Sequence, residues 1–187
     1  GLAGDALTTG SANVAIGYQA LSSEDGHGRN VAIGKSALLN QNAGDEAYNV
    51  AVGYHSGLSV TTGFQNTFIG GLAGDALTTG AQNVAIGYLA LTAANGNENY
   101  NVAVGTGSLM NLDGSGDMWN TAVGTNSGLS LTTGTLNVLI GGRAGDALTT
   151  GSNNVAVGFD ALGAEDGHGG NVAVGYRALK VQNAGAT

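Results

Sequence analysis

The chain has 187 residues, of which 35 are glycine and none is proline or cysteine, and its formal net charge is −8. An apolar content of 42% with only 10% charged residues argues against disorder, and a glycine-rich chain without proline or a three-residue period is not collagen-like. We expect no nucleic-acid partner, because an acidic surface repels phosphate backbones, and no membrane insertion, because no apolar run approaches the ~20 residues that span a bilayer.

One short motif recurs along the whole chain: Asn, an apolar or Thr residue, any residue, Ile or Val, and then Gly. It occurs ten times at intervals of roughly 17–19 residues, and such self-similarity at a nearly fixed period is typical of repeat architectures. The Asn residues of the motif are Asn13, Asn30, Asn49, Asn66, Asn83, Asn101, Asn120, Asn137, Asn154 and Asn171, and the Gly residues are Gly17, Gly34, Gly53, Gly70, Gly87, Gly105, Gly124, Gly141, Gly158 and Gly175.

In chain order, a partial repeat at 1–12 is followed by full repeats that begin at 13, 30, 49, 66, 83, 101, 120, 137, 154 and 171. The sequence that opens the chain returns at 71–80 and at 142–151, so four repeats form a larger unit that spans 1–70 the first time and 71–141 the second. We therefore predict a single repeat array over 1–187. Because the chain starts within a repeat and without Met, we expect it to be a segment of a longer protein.

Each motif predicts a short β-strand. In Asn-Val-Ala-Ile-Gly the side chains alternate, so Val and Ile lie on one face and Ala on the other, and Gly ends the strand at a corner. A second apolar patch, such as 18–21, predicts a second short strand in each repeat. Stacked in parallel about 4.8 Å apart, the repeats become the rungs of an all-β solenoid, a rod about 50 Å long. A helical fold is unfavourable by comparison, because each Gly in a helix interior would destabilise the helix by ~1 kcal/mol relative to Ala.

The recurring Asn fits a corner at which its amide bonds the backbone or the Asn of the next rung. So short a rung makes a thin roll with little apolar volume. Leu and Ile on one face and Ala on the other predict two contact surfaces, one within the roll and one between chains. We expect side-by-side association, with three chains around an axis, to bury the second surface.

Two runs carry a resemblance to known repeat families: Asn-Val-Ala-Ile-Gly-Tyr-Gln-Ala-Leu at 13–21, and Thr-Thr-Gly-Ser-Asn-Asn-Val-Ala-Val-Gly at 149–158. They resemble the heads of trimeric autotransporter adhesins and the repeat regions of phage tail-fibre-like proteins. The rungs here are longer than those of the adhesin heads, so the tail-fibre-like repeats match better. The resemblance implies a trimeric parallel β-roll, used as the shaft or head of a fibre outside the cell, on a cell surface or on a virion.

One loop sequence, Glu-Asp-Gly-His-Gly, occurs at 24–28 and again at 165–169. Two carboxylates and an imidazole this close could bind a divalent metal, with the candidate ligands Glu24, Asp25, His27, Glu165, Asp166 and His168. The middle copy, 95–98, has lost the His. Because short acidic loops are usually solvated, we predict no metal site and no cofactor.

Aromatic residues directly after the motif Gly could line a sugar-binding stripe or shield the corner of the rung. We favour shielding, because other residues interrupt the series Tyr18, Tyr54, Tyr88, Phe159 and Tyr176. Trp119, together with Met118, is the best candidate for a contact with a partner. Five Thr-Thr pairs raise the alternative of ice binding, although a flat ice face favours Thr-x-Thr, with both hydroxyls on one side.

The sequence indicates no catalytic residues. The only His residues are His27, His55 and His168, and none has the spacing of a Ser-His-Asp arrangement. We therefore predict a non-catalytic structural or adhesive segment of an extracellular fibre, a homotrimer that could also join end to end and contact a cell-surface receptor or glycan. The alternative is a monomeric solenoid that binds ice or a carbohydrate.

Overall fold

A computed structural model describes residues 1–164 and 167–180. Each motif forms one three-residue strand, and the ten strands make a single parallel sheet in chain order. This confirms the predicted β-solenoid; the described residues contain no helix. The strands are β1 (Val14–Ile16), β2 (Val31–Ile33), β3 (Val50–Val52), β4 (Thr67–Ile69), β5 (Val84–Ile86), β6 (Val102–Val104), β7 (Thr121–Val123), β8 (Val138–Ile140), β9 (Val155–Val157) and β10 (Val172–Val174).

Equivalent residues of neighbouring rungs lie opposite each other, as in Val14↔Val31 and Ala15↔Ala32. The prediction of a second strand in each rung is wrong, because the second apolar patch forms turns. Gln19 and Leu21 have φ of 55° and 50°, which no extended strand allows. Hydrogen bonds between rungs continue through the turns nevertheless, as from Leu21 N to Ala37 O at 3.0 Å.

The motif Asn residues form a ladder along the rod, as the sequence predicts. Asn83 Oδ1 accepts hydrogen bonds from the backbone N and from Nδ2 of Asn101, at 3.0 and 3.1 Å. Asn83 Nδ2 donates in turn to Glu98 O at 2.8 Å. Asn83 and Asn101 are fully buried, so each side chain satisfies backbone groups that would otherwise be unpaired in the interior.

The motif Gly residues also stack along the rod, and both the backbone conformation and the close approach of the next rung require Gly there. Gly87 has φ of 135°, a conformation that side-chain-bearing residues rarely adopt. A Cβ on Gly87 would lie 2.6 Å from the carbonyl oxygen of Gly105 in the next rung. The rungs can therefore stack this closely only with Gly at the corner.

The interior contains the strand Ala residues and the Leu residues of the turns, such as Ala103 and Leu109, both fully buried. The expectation that Leu and Ile share a face is therefore wrong: Leu lies inside with Ala, and Ile points outward. Leu side chains from the turn side fill the thin roll and leave room only for Ala. Where Phe68 replaces Ala, Gly57 and Gly74 lie against its ring, and a Cβ on Gly74 would come within 2.4 Å of it.

Candidate interaction face and acidic loop cluster

The outer face of the sheet consists of the first and third residue of every strand, and it is almost entirely Val and Ile. Most of these side chains are half-buried by their neighbours, whereas Ile16 in the first strand and Val174 in the last are 57% and 67% exposed. The outer face comprises Val14, Ile16, Val31, Ile33, Val50, Val52, Thr67, Ile69, Val84, Ile86, Val102, Val104, Thr121, Val123, Val138, Ile140, Val155, Val157, Val172 and Val174.

Exposed aromatic residues flank the outer face on both sides. Tyr54 and Tyr88 follow the motif Gly, and Trp119 precedes the motif Asn and stacks on Tyr100 with ring centroids 4.0 Å apart. We call the outer face and these two flanking columns the outer strip. Nine strand spacings and a width of five residues give it an area of roughly 700 Å², above the ~300–600 Å² of the largest apolar patch on a typical monomer.

Charge is nearly absent from the outer strip. None of the 13 acidic residues occupies a strand or flanking position in the sequence. The two cations there, Arg29 and Lys35, lie over the rings of Tyr48 and Tyr54 at 5.4 and 5.6 Å, and Arg29 also pairs with Glu46. The outer face itself is thus almost wholly apolar and the flanking columns mix aromatic with polar residues such as Gln65 and Gln82, while the net negative charge belongs to the turns and loops.

The aromatic residues after the motif Gly lean over the preceding rung. A Cβ on Gly71 would contact the Tyr88 ring at 3.6 Å, and one on Gly142 would contact the Phe159 ring at 3.3 Å. The rings therefore cover the corner, as predicted, yet Tyr88 stays 55% exposed. The same rings can cover the corner in one chain and contact a second molecule.

The candidate partner contact at 118–119 divides into a core residue and a surface residue. Met118 is 1% exposed and belongs to the core, so the expectation that it contacts a partner is wrong. Trp119 is 51% exposed and extends the outer strip. Trp119 has φ of 55° at the point where the chain turns into the next strand.

The Glu-Asp-Gly-His-Gly loop at 24–28 brings its three polar side chains together. The ligand-type atoms of Glu24, Asp25 and His27 all lie within 4.8 Å of one another, and His27 Nδ1 lies 3.7 Å from Glu24 Oε1. Glu24 is fully buried, although carboxylates rarely are. Burial raises the pKa of its carboxyl above the usual range, while the hydrogen bond that His27 N donates to Oε1 at 3.0 Å opposes the shift.

The other two copies of this loop differ in what can be compared. At 165–169, Glu165 and Asp166 lie outside the described residues, while His168 O accepts a hydrogen bond from Asn154 Nδ2 at 3.2 Å, as His27 O does from Asn13 Nδ2 at 3.0 Å. In the middle copy Glu98 O accepts the equivalent hydrogen bond from Asn83 Nδ2 at 2.8 Å, so Glu98 takes the place of His27, and its side chain is fully buried. Burial also raises the pKa of Glu98.

A buried carboxylate at Asp160 was not anticipated from the sequence. Asp160 is 1% exposed. Its Oδ1 lies 3.6 Å from Arg143 Nη2, and its Oδ2 lies 3.3 Å from Arg177 Nε. Lys180 Nζ also contacts Oδ2. The hydrogen bond from Lys180 lowers the pKa of the Asp160 carboxyl. A signal was available: Arg143, Asp160 and Arg177 each follow the motif Gly by two residues in successive rungs, so the register places opposite charges in one column.

The Thr-Thr pairs do not present two free hydroxyls. The Oγ1 atoms of Thr8 and Thr61 donate to the carbonyls of Asp25 and Thr78 in the next rung, at 2.8 and 3.2 Å. Thr132 makes the same bond to Thr149 O at 3.0 Å. The first hydroxyl of these pairs therefore holds the rungs together, and in the first pair the second hydroxyl does so too, because Thr9 Oγ1 donates to Gly26 O at 3.5 Å.

Comparisons with protein-family models, curated proteins and solved structures find no match to this chain. Among the described residues there is no helix of the length and hydropathy that a membrane crossing requires.

Proposed function

We propose that the chain is a segment of an extracellular fibre in which three copies associate through their outer strips, and that it acts mechanically rather than catalytically. The observation that carries the proposal is the outer face: Val and Ile point away from a core that the Ala and Leu residues already fill. The outer strip, at roughly 700 Å², is close to the ~800 Å² that each partner buries in a standard protein interface. A second copy of the same chain supplies a surface of the same chemistry.

The charge distribution supports self-association along the side of the rod. The outer strip carries no carboxylate, so parallel copies can approach there without bringing like charges together. The loops and turns carry the net negative charge and would face outward, where they keep neighbouring fibres apart. The inter-rung hydrogen bonds run along the rod and would resist extension. Receptor or glycan contact, and end-to-end joining, are further parts of the proposal that depend on the loops and rod ends.

The experiment uses the absence of native cysteine. Two single-cysteine variants, Val102→Cys on the outer face and Thr79→Cys at an exposed corner, are labelled with a thiol reagent across a dilution series. We expect the Val102→Cys thiol to react more slowly as the protein concentration rises, because association covers it, while the Thr79→Cys thiol reacts at one rate throughout. Concentration-independent labelling at both positions would contradict association through this face.

A monomeric carbohydrate-binding module is the second candidate, and one groove favours it. The groove has a volume of about 310 Å³ and combines an exposed aromatic ring with two carboxylates, the mixture that positions sugar rings and hydroxyls. Its lining residues are Ala43, Gly44, Asp45, Glu46, Thr62 and Phe64. Glycan binding by a chain of single-chain mass, lost on Phe64→Ala, would place this function first.

A further inference from the structure

The Glu24 loop contains two buried polar atoms that the described part of the protein does not satisfy. Glu24 Oε2 and His27 Nδ1 have no hydrogen-bond partner among the described residues. Glu24 is fully buried, and its other oxygen accepts a hydrogen bond from His27 N. Leaving a buried polar atom unpaired is unfavourable, and more so when the group is charged.

The ligand-type atoms of Glu24, Asp25 and His27 lie within 4.8 Å of one another, close enough to share one ion. A single cation between Glu24 and His27 would satisfy both atoms at once. We propose that Glu24, Asp25 and His27 bind one divalent transition-metal ion of the Zn²⁺ class.

The donor set and its spacing fit that class of ion. One imidazole nitrogen with two carboxylates suits Zn²⁺ or Mn²⁺, whereas Ca²⁺ and Mg²⁺ favour sites made only of oxygen. Two ligand atoms about 2.1 Å from a tetrahedral metal lie about 3.4 Å apart. The 3.7 Å between His27 Nδ1 and Glu24 Oε1 shows that the imidazole and the carboxylate group lie at nearly this separation. A carboxylate can ligate a metal through either oxygen or both, and exposed Asp25 can turn toward the same point.

The backbone of the loop is held by the preceding rung, so the three side chains are positioned before a metal arrives. Asp25 O accepts hydrogen bonds from both the N and the Oγ1 of Thr8, each at 2.8 Å. His27 O accepts from Asn13 Nδ2. Gly28 lies so close to the preceding rung that a Cβ there would stand 1.9 Å from Ser11 O.

The middle loop of the same chain provides a built-in control. There Glu98 O accepts a hydrogen bond from Asn83 Nδ2 as His27 O does from Asn13 Nδ2, so Glu98 takes the place of His27 in this longer rung. Glu98 is buried in this loop and its Oε1 is unpaired, yet among the described residues it belongs to no group of three ligand-type side chains. We expect Glu98 to contribute nothing to metal binding.

The test titrates the chelator-treated full chain with ZnCl₂ by calorimetry, in a His168→Asn background that removes the imidazole of the other loop copy. We expect one Zn²⁺ per chain, at least about tenfold weaker binding in Glu24→Gln and in His27→Asn, and unchanged binding in Glu98→Gln. His27→Asn removes the imidazole and keeps a polar side chain, and circular dichroism checks that each variant keeps its β structure.

A second readout reports ligation directly. Co²⁺ in place of Zn²⁺ gives visible absorption bands whose intensity depends on coordination geometry, and we expect the His27→Asn variant to lose the bands of the parent chain. No saturable Zn²⁺ binding, or equal binding and equal Co²⁺ spectra in the parent and His27→Asn chains, would overturn the proposal. Because the loop lies outside the outer strip, these results are independent of whether the chains associate.

Discussion

Ala103 is completely buried, while Val102 and Val104 on either side of it in the same strand are only half-buried. The two sides of the sheet therefore differ in an unusual way. The smallest apolar side chain, Ala, lies on the buried side, and the larger β-branched Val and Ile lie on the outer side. The turns explain the inner side, because Leu109 and its equivalents fill the roll. No described element packs on the outer side, which is therefore suited to a second copy.

The inner side is expected to be the more sensitive of the two. Phe68→Ala truncates the largest buried side chain and should lower the free energy of unfolding by about 3–5 kcal/mol. For a chain of this length, each kcal/mol lowers Tm by about 2–4 °C. Adding Gly74→Leu should restore part of the loss, since Leu91 occupies the equivalent position with nearly the same φ, 55° against 56°. Thermal unfolding measures both variants, and a loss below about 1 kcal/mol would mean that the inner packing is loose.

The Asn ladder should come next in effect. Asn83→Ala leaves Asn101 N and Glu98 O buried without partners, and each unpaired group costs about 1–3 kcal/mol. The control is Asn111→Ala, an exposed loop position, for which we expect a change of no more than about 0.5 kcal/mol. Similar urea midpoints for the two variants would show that the ladder contributes little to stability.

The buried Glu98 should give a smaller effect that depends on pH. Its pKa is raised in the folded chain by burial, so the fold favours the protonated form and loses stability as pH rises through the folded pKa. Glu98→Gln should therefore raise the free energy of unfolding at pH 7 by about 1 kcal/mol, and Tm with it. The difference in stability between the variant and the parent chain should disappear below the ordinary pKa of 4.5. A stabilisation that is equal at both pH values would refute this origin.

The smallest expected effect concerns the outer side of the sheet alone, and it therefore distinguishes that side most clearly from the inner side. Thr67 and Thr121 are the only polar residues of the outer face. If a second copy covers them, Thr67→Val with Thr121→Val should strengthen association by about 1 kcal/mol, roughly fivefold, because two hydroxyls are no longer desolvated. Sedimentation across a dilution series measures this. An unchanged dissociation midpoint, or the same gain from the corner variant Thr79→Val, would mean that the outer face stays in water.

The solenoid can be predicted from the sequence because the residues that fix the register of the rungs, Asn and Gly, recur at recognisable positions. Asn and Gly at fixed positions place one strand in each rung, and the Asn amide and the close backbone approach both require those residue types. Which side of the strand is internal could not be derived from alternation alone. That choice depends on the Leu side chains of the turns, whose positive φ, as at Leu21, carries no clear sequence signal.

The candidate sites divide in the same way. Trp119 was identified because exposed aromatics at an irregular rung stand out, but the burial of Met118 depends on a local turn. Glu24 was expected in a solvated loop, since carboxylates are seldom buried, and its burial follows from the packing of the loop on the preceding rung. The charge column at Asp160 becomes visible only when residues are aligned by rung rather than read along the chain.

The most direct test of the central claim, that the outer strip is covered by other copies of the chain, is the solution mass of the unmodified protein by light scattering. We expect a particle of three chains, each of 18.3 kDa. We also expect the measured mass to fall toward that of a single chain when Ile86→Glu places a charge on the outer face. A mass of 18.3 kDa for the unmodified chain at the highest concentration measured would contradict it.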